Sequence, residues 1–303
     1  MAAPNRAIKR PPTMVNVPTS NTNWINPADN PEEANQTIEK LLAETNSSPM
    51  PEIPFPDTDI VVLPGGLARK DTIIQSVEVR ELTGEDEESL AKASQSSSIF
   101  SFLDRLLRCG VSRIGNESVT EKDKLLSQML IGDREAIILG IRQATYGNKI
   151  EIEDWNCSHC NFSSELSLEL SDIPSSKLSD LDEATFKVPL RKGGYALVRL
   201  ANGDDQLAVF EKADLTQAQR ETILISRCVI SLTDTSGKEK LMAAFPSMSR
   251  SLSIPDRHSI LRELNIRQPG PKYDQVKFDC ESCGTEQTVT VTIGHLFLDF
   301  GWV

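Results

Sequence analysis

From about residue 59 the chain alternates between two hydrophobic rhythms, and each change of rhythm marks a boundary. Ile60-Val61-Val62-Leu63 is a short apolar run ended by Pro64-Gly65-Gly66, and Ile73 to Arg80 alternates through Val77 and Val79. This predicts two strands around a Pro-Gly-Gly turn. The period then lengthens to that of a helix. Thr83 stands as an N-cap ahead of the carboxylates Glu85 to Glu88, which suit the positive end of a helix. Ser98 precedes Ile99, Phe102, Leu103, Leu106 and Leu107 at helical spacing, with Gly110 past the end. Thr120 and Asp123 open a third helix holding Leu125, Leu126, Met129 and Leu130. Asp133 opens a fourth, with Ile137, Ile138, Ile141 and Ala144, stopped by Gly147.

Beyond Gly147 the period of two returns. Lys149 to Glu153 and Leu166 to Leu170 read as one strand pair, and Val276 to Phe278 and Thr288 to Thr292 as another. Between the pairs lie an acidic link, Asp172 to Glu183, and a hairpin. In it Phe186, Val188 and Leu190 lead into Gly193-Gly194, and Ala196, Val198 and Leu200 lead out. A helix from Thr216 to about Ser231 buries Ile223, Leu224 and Val229. Shorter helices follow around Leu241 to Phe245 and Pro255 to Leu264, then the linker Pro269-Gly270-Pro271.

Each strand pair brackets a Cys-x-x-Cys: Cys157 and Cys160 in the first, Cys280 and Cys283 in the second. This spacing lets two thiolates on one tight turn reach a single ion, and two such turns complete a tetrahedral zinc site. Asn161 and Gly284, which follow the second cysteines, tolerate the left-handed backbone a tight knuckle needs. The pattern predicts a split zinc ribbon. Two unrelated cysteine pairs, or thiols around a different metal, are the other readings. Four thiolates leave no open coordination position, so such a zinc is structural. Closing a loop of about 120 residues costs about 4 kcal/mol, against roughly 10–16 kcal/mol for structural zinc binding in small peptides. The metal wins.

The segment before residue 59 has a different character, with ten of the 17 prolines (Pro4 to Pro56) among Asn, Thr and Ser. Such a composition cannot bury enough apolar surface to offset its ordering entropy, which predicts a disordered tail. One island interrupts it: Asn30 as N-cap, Pro31, Glu32 and Glu33, then Ala34, Ile38, Leu41 and Leu42 on one face. This helix either docks on a partner or lies on its own chain. At the other end Leu296, Phe297, Leu298, Phe300, Trp302 and Val303 arrive almost unrelieved by polar residues. An apolar end of this kind is buried either in its own fold or in a partner.

The fold class expected is α+β: a four-cysteine zinc ribbon (149–171 and 273–303) joining helical modules and a β-hairpin. A strand pair with a helical module occupies 59–148, an inserted hairpin-plus-helices block 172–272, and the disordered tail 1–58. Net charge is −12, with 44 acidic and 32 basic residues. Glu151, Glu153, Asp154 and Asp279 flank the knuckles, which argues against the alternative of a nucleic-acid-binding zinc ribbon of transcription or replication. Cys109 and Cys228 read as small core residues, and the sparing use of cysteine argues against a secreted disulfide framework. Met1 to Arg10 lacks a signal-peptide core, and no run approaches the ~18 apolar residues of a membrane span. The chain is expected to be cytoplasmic when made, with no membrane partner. His159, inside the first Cys-x-x-Cys turn, reads as exposed beside the zinc or as a ligand, His258 as facing water on a polar helix, and His295 has no evident nucleophile; no cofactor motif is present, so no enzymatic activity is expected.

Taken in order, the proline-rich tail, Leu63-Pro64-Gly65-Gly66, the run Val77-Glu78-Val79-Arg80-Glu81-Leu82-Thr83-Gly84-Glu85-Asp86-Glu87, the split cysteine pairs and the aromatic end form a recognisable set. Over roughly residues 60 to 303 the chain resembles the baseplate hub and tail assembly proteins of large, T-even-like contractile-tailed bacteriophages. The resemblance implies a non-enzymatic scaffold or chaperone of virion assembly. It would act in the host cytoplasm on other baseplate hub or tape-measure proteins.

Overall fold

The computed structural model of the chain describes residues 31–47, 58–69, 72–95, 99–116, 122–211 and 214–297. It divides into a unit ending at Pro54 and one beginning at Phe55. The described part of the first unit is one helix, α1 (Pro31–Ser47). Pro31 suits its start because its missing N–H is one that no helical carbonyl would accept. Ile38 is 51% exposed on this helix. The side chains of Leu41 and Leu42, and the rest of the expected tail up to Asp57, lie outside the described residues.

The second unit opens with β1 (Thr58–Arg69) and β2 (Thr72–Arg80), followed by α2 (Gly84–Ser94), α3 (Ile99–Gly110), β3 (Val111–Ile114), α4 (Lys122–Gln128) and α5 (Ile131–Tyr146). The three strands form an antiparallel sheet in the order β1-β2-β3. Thr83 caps α2 as the sequence indicates, closing a capping box with Asp86. The Pro-Gly-Gly segment is not a turn. It is an irregularity within β1, between Val62 and Leu67, and the chain reverses between the paired Arg69 and Thr72. The ladder breaks there because its backbone groups are engaged elsewhere. The Gly65 N–H donates to Asp133 Oδ1 at 2.6 Å, and the Pro64 carbonyl accepts from Leu178 at 2.9 Å. Asp133 is therefore not a helix cap; it is fully buried in the first turn of α5, which starts at Ile131. Thr120 lies outside the described residues.

The chain continues through β4 (Lys149–Asn156), β5 (Ser163–Glu169), β6 (Ser175–Ser176), β7 (Thr185–Pro189), β8 (Tyr195–Arg199), α6 (Gly203–Phe210), α7 (Gln217–Cys228), β9 (Val229–Thr233) and β10 (Glu239–Leu241). It ends with α8 (Met248–Ser251), α9 (Ile254–Arg267), β11 (Gly270–Pro271), β12 (Val276–Asp279), β13 (Glu286–Val289) and α10 (Ile293–Phe297). The anticipated hairpin is β7–β8, which lies in a four-stranded antiparallel sheet of order β10-β9-β8-β7. The helix from Thr216 stops at Cys228, short of Ser231. Val229 keeps the helical spacing from Ile225, but from there the chain alternates buried and less buried residues as a strand beside β8. Around Leu241 to Phe245 there is only a single tight turn, Met242–Ala244.

Two apolar clusters result. One holds Val77, Val79, Leu106, Leu125, Ile137 and Ile141, together with the inward residues of the cysteine hairpins such as Ile150, Leu168 and Val276. The other holds Phe186, Val188, Val198, Ile225 and Ile260. Both cysteine hairpins thus rest on the first cluster.

Candidate metal centre

Each knuckle is built the same way. β4 and β5 pair from Lys149 opposite Glu169 to Asn156 opposite Ser163, and β12 and β13 from Val276 opposite Val289 to Asp279 opposite Glu286. At the turn of the first hairpin the Cys157 N–H donates to the Phe162 carbonyl (2.8 Å) and the Asn161 N–H to the Cys157 carbonyl (3.0 Å). In the second the Cys280 N–H donates to the Thr285 carbonyl (3.1 Å) and the Gly284 N–H to the Cys280 carbonyl (2.8 Å). Asn161 (φ 55°) and Gly284 (φ 66°) take the left-handed conformation that their residue types predict.

The fold brings both tips together. All four sulfurs, of Cys157, Cys160, Cys280 and Cys283, lie within 4.8 Å of one another. Cys157 and Cys283 are 3.8 Å apart, as are Cys160 and Cys280. A zinc–sulfur bond of ~2.3 Å in tetrahedral geometry implies sulfur–sulfur edges of about 3.8 Å. The spacing fits such an ion, and it is far longer than the ~2.05 Å of a disulfide. Cys157 and Cys280 are buried while Cys160 and Cys283 reach solvent. Other contacts hold the two tips in register. Trp155 meets Phe278 edge-on at 4.8 Å, and the Ser158 hydroxyl donates to Gln287 Oε1 at 2.6 Å.

The electrostatics also ask for a cation. The hydroxyl and N–H of Thr285 pull Cys283 down to about 6. Cys160 is pushed up to about 11, because the lowering by the Phe162 amide is outweighed by burial and the neighbouring thiols. Four thiols this close cannot all ionise without a positive charge among them. The backbone already supplies part of the stabilisation, since the His159 N–H donates to Cys157 Sγ at 3.4 Å. The His159 side chain is exposed and outside the donor group. Four thiolates around one ion would leave it no position for a reacting water, so an ion held here would serve as a cross-link.

The remaining candidate residues are scattered. Leu296 and Phe297 are buried (2% and 7%) in the first apolar cluster, so these two pack inside the chain's own fold. Leu298, Phe300 and Trp302 lie outside the described residues. His258 is exposed, and His295 Nδ1 accepts from the Thr292 N–H at 3.2 Å. A cleft of about 690 Å³ between α5 and α9 carries Glu135 and Asp274 as its carboxylates and has no histidine in its lining. Nothing in the sequence marks this cleft, because its walls include Ile131 and Glu135 on one side and Leu261 to Gln275 on the other, more than 100 residues apart. Exposed Glu151, Glu153, Asp154 and Asp279 surround the knuckles with negative charge. Among the described residues no helix is long and apolar enough to cross a membrane.

A family model described as T4 bacteriophage base plate protein matches residues 66–298, most of the chain and both knuckles. No curated protein and no solved structure matches it.

Proposed function

We propose that this chain, which belongs to the T4 bacteriophage base plate protein family, is a non-enzymatic hub or tail assembly factor that docks other baseplate proteins on a zinc-pinned fold. The observation that carries this reading is the closed set of four sulfurs at the tips of two hairpins, within a chain matched to a baseplate family. Cys157, Cys160, Cys280 and Cys283 would hold the ion, which supplies a rigid cross-link. The ribbon of residues 149–171 and 273–303 then acts as the joint on which the rest is carried. The work of the protein is to hold partners, as scaffold or chaperone, in the host cytoplasm during assembly and in the tail or baseplate where it is retained.

Partner candidates are hub and tape-measure proteins. Ile38, exposed on α1, together with Leu41 and Leu42, is one proposed anchor. Leu298, Phe300 and Trp302, which follow the buried Leu296 and Phe297 in the sequence, form another. Affinity purification of the tagged chain from infected cells tests the reading. Hub or tape-measure proteins should co-purify, and less of them with Ile38→Asp. Recovery of polymerase or nucleic acid in their place would contradict it.

A further inference from the structure

One set of contacts occurs twice along the second unit. Arg80, ending β2, donates to both oxygens of Asp86 (2.7 and 2.9 Å) and to the Glu81 carbonyl (2.8 Å). Arg199, ending β8, does the same to Asp205 (2.6 and 3.0 Å) and the Leu200 carbonyl (2.9 Å). Each aspartate closes a capping box, with Thr83 or Asn202, and each helix begins with glycine, Gly84 or Gly203. The next helix carries Arg-Cys in its last turn, Arg108-Cys109 before the final Gly110 in α3 and Arg227-Cys228 at the end of α7, and passes directly into a strand, β3 or β9, beside β2 or β8.

The parallel continues further along the chain. Asp133 of α5 accepts the Gly65 N–H at 2.6 Å, and Asp256 of α9 accepts the Arg191 N–H at 2.7 Å. Arg134 donates to the carbonyl eight residues before it, Leu126, and Arg257 to the carbonyl eight before it, Ser249. A cysteine knuckle follows each. The offset is 119 residues from Arg80 to Arg199 and from Cys109 to Cys228; it is 123 from Asp133 to Asp256 and from Cys157 to Cys280. A steady offset with one step of four is the mark of two copies of one module.

The copies touch through unlike faces. The start of α5 in the first module plugs into the β8–α6 corner of the second. Leu130 and Ile131 pack on the second cluster, the Ile131 N–H donates to the Ala201 carbonyl (3.1 Å), and the Gly203 N–H donates to the Met129 carbonyl (3.0 Å). A Cβ on Gly203 would lie 2.8 Å from the Ser127 carbonyl oxygen. Among the described residues the corresponding faces at the far sides of the two modules are open. Ile254, which matches Ile131, is 68% exposed, and a Cβ on Gly84, which matches Gly203, would meet nothing within 4 Å. An interface of unlike faces does not close on itself and leaves one of each kind free.

We propose that a second copy of this chain fills them, docking head to tail with Ile254 of one copy in the Leu82–Gly84 corner of the next. Charge favours the same pairing. Exposed Arg191 and Lys192 lie beside the Asp256 turn that carries Ile254, whereas exposed Glu81, Glu85, Glu87 and Glu88 surround Gly84. Pro255 stands where the first module has Gly132. The close backbone approach at Gly132 is therefore not repeated, and the contact between copies is weaker than the internal one.

Sedimentation of the full chain over a range of concentrations tests this. Association rising with concentration and weakening with salt is expected. Ile254→Asp and Gly84→Trp, both at open positions that the fold does not use, should each abolish open-ended growth. Mixed, they should form a one-to-one complex and nothing larger, because each retains the face the other has lost. A chain that stays monomeric at all concentrations would overturn the proposal. So would self-association indifferent to both substitutions, or a mixture that remains monomeric.

Discussion

The sulfur of Cys157 stands 3.8 Å from that of Cys283 although 126 residues separate them in the chain. No backbone ladder joins the two hairpins, whose sheets are each two-stranded. An ion held at this point would add a cross-link to the Trp155–Phe278 and Ser158–Gln287 contacts between them. Cys157→Ser is expected to lower the stability of the second unit by at least about 4 kcal/mol, the loop-closure term alone. Urea denaturation should show the loss, and limited proteolysis should cut first in the 272–292 region.

Asp205 is fully buried and takes hydrogen bonds from Arg199, Arg227 and the Asn202 amide. Burial alone would raise its pKa, but the Arg199 contact and its companions hold it below the ordinary carboxylate range. Its contribution is thus fully present above about pH 4 and is lost as the pH falls through the depressed value. Arg199→Met should cost about 3–5 kcal/mol at pH 7 by leaving a buried charge poorly compensated. In acid the difference from the unsubstituted chain should shrink, as pH-dependent thermal unfolding would show.

Glu135 behaves in the opposite sense. Burial pushes its carboxyl up to about 7, only partly offset by Lys272. Its favourable, protonated state is complete below about pH 4.5 and is lost as the pH rises through 7. Glu135→Gln should leave stability near pH 4 unchanged and raise it by about 1–3 kcal/mol at pH 8. Denaturation at the two pH values distinguishes this from a change in packing, which would act at both.

Gly132 lies against the backbone of Pro269 and Gly270, and a Cβ there would overlap the Pro269 carbonyl. Because the obstacle is main chain, it cannot step aside as a side-chain end can. Gly132→Ala should destabilise by more than about 3 kcal/mol, whereas Gly84→Ala, with open space around it, should be nearly neutral. Melting temperatures of the two variants settle the contrast.

What the sequence revealed were the features written locally. Thr83 followed by acidic residues fixed the start of α2, and Cys-x-x-Cys with Asn161 or Gly284 behind it fixed each knuckle, down to the sign of φ. The strands β3 and β9 are hard to read from the sequence because each follows directly on the last residue of a helix, Gly110 or Cys228, and is only four or five residues long. Asp133 looked like a cap because a carboxylate at a helix start usually is one. Its partner, Gly65, is 68 residues away. The recurrence of Arg80, Asp86 and Cys109 as Arg199, Asp205 and Cys228 lay in the sequence too, but as a few polar residues among diverged apolar ones. Without their shared hydrogen bonds, nothing marked them as a set.

The most direct measurement is the metal content of the purified full-length chain, together with the reactivity of its thiols. One zinc per chain is predicted, with Cys157, Cys160, Cys280 and Cys283 protected from alkylation until a chelator removes the ion. A folded chain with no stoichiometric metal, and all four of these thiols reacting freely, would contradict it.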